Sequence, residues 1–281
     1  MIARVVDPPV GESLRDGVYC GRAWLCDPRD TTIAIVDRAW AILRRHVGDD
    51  PRSAHARLGD PEHFARVGAA RRAVFEDPVL RRLFVELGSA LGIEPRALRF
   101  EPPKLRAVVP AGHENEAAWP VYVAHRDTWY AVPRAVVNVW IALHDVSEEE
   151  TFELFFDRFD VPVPNDSATF DYAAWQAPGR GLRIGWQDSN ASSTASYPTV
   201  VGEPDLGAGA RFACARAGWL VFSGAHLHKT RAHAQSLTRF SLDARLVHAG
   251  DAASGRGAPC VDVACRGDAS FDYLEGERFV G

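Results

Sequence analysis

The hydrophobic period of the chain changes once, near Leu98, and this change limits the folds that the sequence can adopt. Before it, apolar residues recur at the spacing of one helical face, as in Ile33, Val36, Trp40, Leu43 and Val47. After it, alternating and β-branched runs are typical of strands, most clearly at 135–143. Helices followed by many strands predict an α+β chain with an all-β core.

Local signals place the predicted helices within the first hundred residues. The run Asp30-Thr31-Thr32 predicts a capped helix start, with the helix reaching about Val47. Asp60-Pro61 and Asp77-Pro78 each put an N-cap residue before a proline at the first helical position. Gly92 predicts the end of the last of these helices.

Short strands are expected at 104–109, 120–125, 135–143, 152–156, 211–215, 219–222 and 237–247. The segment 157–209 is rich in Pro, Gly, Ser, Asn and Asp, so it predicts either an active-site lid or a disordered loop. We expect one domain over 1–281, with a mainly helical flank at 1–100, a β core at 101–248 and an extension at 249–281.

Composition excludes several classes of function. The net charge of −5 gives no basic footprint for nucleic acid, and no apolar stretch is long enough to predict a membrane span. Five cysteines without a C-x-x-C pair favour reduced thiols in a cytoplasmic protein over disulfides or a zinc ribbon. The sequence carries no phosphate-binding glycine loop and no nucleophile elbow.

The triplet His125-Arg126-Asp127 is the first candidate for chemistry, at the end of a predicted strand. Side chains alternate along a strand, so His125 and Asp127 would share one face, about 6–7 Å apart. Arg126 would then point away. Two histidines and one carboxylate form the facial triad of non-haem Fe(II) oxygenases, so the triplet predicts two ligands of an iron site.

The segment 222–230 offers the missing histidine, because His226 and His228 would share one face of a strand. Only one of them can have the right depth for the metal. Arg239 follows His228 by eleven residues and is itself followed by Ser241 two positions later. An arginine that stays charged, with a hydroxyl beside it, suits a buried dicarboxylate.

Together these residues resemble the Fe(II)/2-oxoglutarate-dependent dioxygenases, most closely the phytanoyl-CoA-dioxygenase-like branch. The resemblance covers about 104–248 and is clearest at 125–129, 162–165 and 222–245. In that branch a hydroxyl residue commonly lies two positions after the distal histidine, and an arginine lies about eleven after it. Thr230 and Arg239 have this spacing from His228, whereas His226 lacks both partners. The resemblance therefore implies His228 as the third ligand.

The resemblance also implies a double-stranded β-helix (jelly-roll or cupin-type) core and a reaction that uses Fe(II), 2-oxoglutarate and O₂. Arg239, Thr230 and Ser241 would hold 2-oxoglutarate, and Asn138 would border it. The expected outcome is hydroxylation of a small metabolite or natural-product intermediate, with release of succinate and CO₂. Desaturation, cyclisation or epimerisation would use the same residues. Related halogenases carry a small residue where Asp127 stands, so halogenation is not expected.

Several residues are candidates for contact with a small-molecule substrate, namely Trp129, Tyr130, Trp140, Arg106 and His226. Core packing is an equal alternative for Trp140, as is a solvated position for Arg106. A second class of function also stays open, a non-catalytic cupin-like module that binds a metal or ligand at the same residues. Neither the substrate nor the oligomeric state follows from the sequence.

Overall fold

A computed structural model describes residues 1–114, 122–176 and 198–280 of the chain. Five helices precede the core: α1 (Gly11–Tyr19), α2 (Asp30–Val47), α3 (Ala54–Arg57), α4 (Asp60–Glu76) and α5 (Pro78–Ala90). Two short helices follow later in the described part, α6 (Tyr172–Gln176) and α7 (Ala249–Ala253). No helix in the described part is long and apolar enough to cross a membrane.

The described residues include nine strands, which form two sheets. The strands are β1 (Ile2–Val5), β2 (Ala23–Cys26), β3 (Leu98–Val108), β4 (Val136–Ala142), β5 (Phe152–Phe155), β6 (Trp219–Ser223), β7 (Leu227–Thr230), β8 (Arg239–His248) and β9 (Leu274–Glu275). The large sheet has the order β1-β2-β6-β4-β8-β3-β9, and β5 pairs with β7 in the small one. All pairs are antiparallel except β1 with β2.

The large sheet separates two cores. Its back face packs against the helices through fully buried residues that include Phe240, Leu242 and Leu246 of β8. Its front face meets the small sheet, where Trp140 of β4 and Phe222 of β6 pack with Phe152 of β5. Helices on one side and two facing sheets on the other give the predicted α+β fold with a double-stranded β-helix core.

The predicted helices are confirmed, with small shifts at their starts. Asp77 caps α5 by accepting a hydrogen bond from the Leu80 amide at 2.8 Å. Asp60 is instead the first residue of α4, so its prediction as an N-cap was wrong by one position, whereas the run Asp30-Thr31-Thr32 does cap α2. At the start of α2, the Thr32 hydroxyl accepts from the Arg29 amide at 3.0 Å.

The expectation of a purely helical flank was incomplete, because β1 and β2 extend the large sheet from within the first thirty residues. Each has four residues, and all four of β2 are buried, so neither shows the alternation of a half-buried strand. The strand expected at 211–215 is also absent; only isolated bridges at Ala210 and Cys214 are found there. Of the predicted lid at 157–209, residues 177–197 lie outside the described residues.

Candidate metal centre

Two candidate ligands face each other across a backbone bridge. His125 and His228 exchange both amide-to-carbonyl hydrogen bonds, each 2.9 Å long. Of the strand expected at 120–125, residues 120 and 121 lie outside the described residues, and within 122–125 the strand pairing is limited to this isolated bridge. Asp127 begins a 3-10 turn over Asp127–Tyr130. The two residues still converge, because the turn brings the carboxylate back toward the imidazoles.

The ligand atoms of His125, Asp127 and His228 lie within 4.8 Å of one another. One metal ion can be bound by three atoms at such separations, since the bonds from a divalent ion such as zinc to histidine nitrogen and carboxylate oxygen are about 2.0–2.2 Å long. Two imidazoles and one carboxylate on one side, with space opposite them, are the donors of a non-haem iron site.

Hydrogen bonds fix which nitrogen of each histidine is free. The Nδ1 of His125 lies 2.9 Å from the Val123 carbonyl oxygen, and the Nδ1 of His228 lies 2.9 Å from that of His226. A carbonyl can only accept, so each Nδ1 carries the proton and each Nε2 keeps its lone pair. Burial and the neighbouring His228 lower the pKa of His125 to about 3, which keeps that ring neutral and able to bind a metal.

Asp127 is held by two side chains from the large sheet. Arg245 donates to its Oδ1 at 2.6 Å, and the Asn138 amide donates to its Oδ2 at 2.6 Å. Burial alone would raise the pKa of Asp127, but the charge and hydrogen bond of Arg245 act together with the neighbouring His228 and His125 and hold that pKa below its usual range. The carboxylate is thus ionised and oriented.

Gly224 allows this carboxylate to lie close to β4. A Cβ at this position would stand 2.5 Å from a Val136 methyl carbon and 3.2 Å from the Cβ of Asp127. A larger residue would therefore push the Asp127 turn out of place.

His226 carries its ring proton on Nε2, whereas His228 carries it on Nδ1. Its Nε2 donates to the Gly21 carbonyl at 3.1 Å, so its Nδ1 is the acceptor, and the Ser223 amide donates to it at 3.2 Å. Both nitrogens are occupied, the ring is fully buried, and His226 is not among the described residues that line the cavity. Its predicted contact with substrate therefore finds no support, because the ring is directed toward the α1–β2 connection.

A cavity of about 220 Å³ opens beside the three ligands. Aromatic residues from both sheets, from the Asp127–Tyr130 turn and from the segment after β5 form much of its wall: Tyr130, Trp140, Phe152, Phe170 and Phe222. Trp140 and Tyr130, both predicted as substrate contacts, are thus at the cavity, although Trp140 also packs in the core between the sheets.

Arg239 is buried in the cavity wall without an acidic partner among the described residues. It is 3% exposed, its Nη1 donates to the Ser241 hydroxyl at 2.6 Å, and its Nε has no hydrogen-bond partner. Burial lowers the pKa of Arg239 to about 10, so the group remains charged at neutral pH. Thr230, at the end of β7, lines the same cavity. This arrangement can bind a carboxylate.

Two further predicted residues have different surroundings. Arg106 lines the cavity and forms an ion pair with Asp243 at 2.6 Å, while its side chain stays 38% exposed, so both the substrate contact and the solvated position remain predictions. Trp129 is fully buried, is not among the described residues lining the cavity, and donates to Asp262 at 2.9 Å. Arg126 also pairs with Asp262, at 3.1 Å, which confirms that it points away from the candidate ligands.

Sequence reasoning missed three residues of this site. Arg245 follows Arg239 by six residues on the same alternating strand, so the period of two could have identified it. Glu101 pairs with Arg245 at 2.8 Å, but it stands before Pro102-Pro103 and a shift in strand register, where alternation fails. Arg71 lies on a helix, and no sequence signal links it to the cavity.

Comparisons with known proteins found only distant structural likeness. No family model matches the chain, and no match was found among curated proteins. EvdO2 from Micromonospora carbonacea var. aurantiaca, complexed with 2-oxoglutarate, is 13% identical over 86% of this chain and 93% of its own, with a TM-score of 0.46. The epimerase SnoN, in complex with Fe³⁺, alpha ketoglutarate and nogalamycin RO, is 14% identical over 84% of both chains, with a TM-score of 0.41.

The carbocyclase SnoK from nogalamycin biosynthesis is 12% identical over 86% of this chain and 87% of its own, with a TM-score of 0.39. Likeness at this level assigns neither a family branch, nor a reaction, nor a substrate to this chain.

Proposed function

We propose that the chain is an Fe(II)- and 2-oxoglutarate-dependent oxygenase that oxidises a C–H bond of a small metabolite, with hydroxylation as the outcome. One observation carries the proposal: three convergent ligand atoms share a cavity with a buried arginine that lacks an acidic partner among the described residues. A metal site alone would not require that arginine. A dicarboxylate that chelates the metal at one end needs a cation for its other end.

The chain's own residues have separate roles in this proposal. His125, Asp127 and His228 would hold Fe(II), with the two histidines oriented by backbone carbonyls. Arg239 would bind the far carboxylate of 2-oxoglutarate, with Ser241 orienting its guanidinium and Thr230 adding a hydroxyl.

Asn138 and Arg245 would keep the Asp127 carboxylate in place. Asn138 has a buried Oδ1 without a hydrogen-bond partner, so this oxygen can also accept a proton donor from a bound molecule. When bound, the metal and 2-oxoglutarate would together activate O₂ and release succinate and CO₂. Since Asp127 supplies a carboxylate ligand, no position is left open for a halide in its place.

The aromatic wall would exclude water and hold the substrate against the metal. The candidate ligands, Arg239 and the aromatic wall would all belong to one domain over 1–281. Desaturation, cyclisation or epimerisation would need the same residues, and the choice among them depends on which substrate carbon lies nearest the metal.

Succinate release tests the proposal directly. Anaerobic protein with Fe(II) and 2-oxoglutarate should develop a weak visible absorption band, and O₂ should then yield succinate. His228→Ala should lose both signals, since the metal keeps only two of its three protein ligands. The matched control is His226→Gln, which removes the neighbouring imidazole and should keep the band.

Two outcomes would contradict this assignment. Stoichiometric metal binding without any band or succinate, across a panel of candidate metabolites, would identify a non-catalytic metal-binding module instead. Loss of the band in folded His226→Gln, together with its retention in His228→Ala, would mean that the third ligand was assigned to the wrong histidine.

A further inference from the structure

A second buried arginine of the cavity wall also lacks an acidic partner among the described residues. Arg71, on α4, is 4% exposed; its Nε donates to the Leu105 carbonyl at 3.2 Å, and its Nη1 is buried without a hydrogen-bond partner. Burial first, and then the like charge of Arg106, lower the pKa of Arg71 to about 9. The guanidinium is therefore charged at neutral pH, and a buried charge without a counter-ion is costly.

Arg71 reaches the cavity beside an uncovered strand edge. β9 pairs with β3 only at Arg99 and Phe100, so no other described strand covers β3 next to Leu105. Arg71 contacts the backbone at this point and lines the cavity together with Arg106. It belongs to a different element from Arg239, whose nearest polar partner is Ser241 on β8.

The charges of the cavity wall do not balance. The described lining residues include five cations, Arg71, Lys104, Arg106, Arg239 and Arg245, and three carboxylates, Glu101, Asp127 and Asp243. Ion pairs account for three of the cations: Lys104 and Arg245 share Glu101, Arg245 also binds Asp127, and Arg106 binds Asp243. Fe(II) and the 2-oxoglutarate dianion would carry equal and opposite charge, so loading both leaves the positive excess unchanged.

We propose that the substrate is an organic anion whose carboxylate or phosphate binds Arg71 and whose apolar body lies along the aromatic wall. This inference rests on the proposed function, because it assigns Arg239 to 2-oxoglutarate and leaves Arg71 for the substrate. A carboxylate or phosphate matches the planar donor fork of a guanidinium. Trp140, Phe152 and Phe222 offer the apolar surface for the remainder.

Calorimetric titration of the loaded protein tests the inference. The full chain is kept anaerobic with Fe(II) and saturating 2-oxoglutarate, so that Arg239 is already occupied. Two matched probe pairs are then titrated, benzoate against benzamide and phenyl phosphate against phenol. We expect at least one anion to bind about ten- to hundred-fold more tightly than its neutral partner, as for a charged hydrogen bond in a buried site; the pair that shows it distinguishes a carboxylate from a phosphate.

Substitutions on α4 test whether Arg71 provides the preference for the anionic probe. Arg71→Met should abolish the preference for the anion, and Arg71→Lys should keep part of it. The matched control is Arg72→Met, at the exposed neighbouring position, which should behave as the wild type. Thermal unfolding serves as the folding control, and Arg71→Met should unfold at the same or a higher temperature, because a costly buried charge is removed.

Three results would overturn the inference. Equal affinity of the anionic and the neutral probe in both pairs would mean that the loaded protein has no anion site. A preference retained in folded Arg71→Met means that another residue provides it. A raised KM for 2-oxoglutarate in Arg71→Met, measured by substrate-independent succinate release, would assign Arg71 to the co-substrate. Failure of the proposed function is distinguishable, since no visible band would then form before any probe is added.

Discussion

The two faces of β8 place opposite chemistry on one backbone. The residues that face the helices are apolar and buried: Phe240, Leu242, Ala244 and Leu246. Those that alternate with them are polar or charged: Arg239, Ser241, Asp243 and Arg245. The first set stabilises the fold by removing apolar surface from water. The second lies on the cavity side, where Arg239 and Ser241 are buried and Asp243 and Arg245 are partly buried, and such charged groups contribute little to stability.

Unsatisfied atoms occur on the cavity side. Arg239 has an Nε without a partner, and Asp243 and Asn138 each have a free Oδ1. Buried polar atoms normally have hydrogen-bond partners, and each exception costs about 1–3 kcal/mol. A chain that keeps several of them beside one cavity has given up stability there, which is characteristic of a binding site.

The largest expected effect on stability comes from the helix-facing side. Leu242→Ala should lower the free energy of unfolding by about 2–5 kcal/mol, because it leaves a cavity in a fully buried core. The KM for 2-oxoglutarate should stay within about two-fold, since the side chain points away from the cavity. Denaturant unfolding and succinate-release kinetics measure the two quantities. A large rise in KM with little loss of stability would show that the faces are not independent.

Arg239→Met should produce the converse result. We expect the KM for 2-oxoglutarate to rise about thirty- to hundred-fold, because a two-point charged interaction with the far carboxylate is lost. The free energy of unfolding should stay the same or increase, since a buried charge is replaced by an apolar side chain. An unchanged KM in a folded variant would remove Arg239 from the co-substrate site.

A smaller effect, on the pH dependence of stability, is expected from His144, which lies just beyond the end of β4. Its Nε2 accepts from the Phe240 amide at 3.0 Å, its Nδ1 donates to the Asp145 carbonyl at 2.8 Å, and burial lowers its pKa to about 4. The unfolded chain protonates this group near pH 6.5, whereas the folded chain does so only near pH 4. Stability should therefore fall as the pH decreases through that window, by about 1–3 kcal/mol.

His144→Gln tests this dependence because glutamine does not titrate and can keep both hydrogen bonds. Unfolding curves between pH 4.5 and pH 7 should show a shallower loss of stability for the variant than for the wild type. Parallel curves would assign the acid sensitivity to other groups.

Sequence reasoning identified the long regular elements and the three candidate ligands that converge in the structure, but not the short strands. The helix after Asp77 and the strand β4 have strong local signals, a capped proline start and a β-branched run. β1 and β2 have four residues each, and their position in the sheet is decided by packing rather than by their own pattern.

In the site as well, residues that are close along the chain could be predicted, and residues brought in by tertiary contacts could not. His125 and Asp127 could be paired from the sequence because they are close along the chain, even though the local structure is a bridge and a turn rather than a strand. Arg71 could not be assigned to the site from the sequence, because its position at the cavity depends on a tertiary contact between α4 and the Leu105 backbone. A polar residue on an amphipathic helix gives no local sign that it is buried.

The backbone bridge between His125 and His228 has a consequence for folding. It joins two segments roughly one hundred residues apart and places the two imidazoles side by side, with their ring centroids 4.4 Å apart. A bound metal would act there as a cross-link that closes a long loop, and it would restrict the unfolded chain if it stayed bound. Metal occupancy should then slow the opening of the β5–β7 sheet relative to the rest of the core. Amide hydrogen exchange at the His125 and His228 backbone would report that local protection.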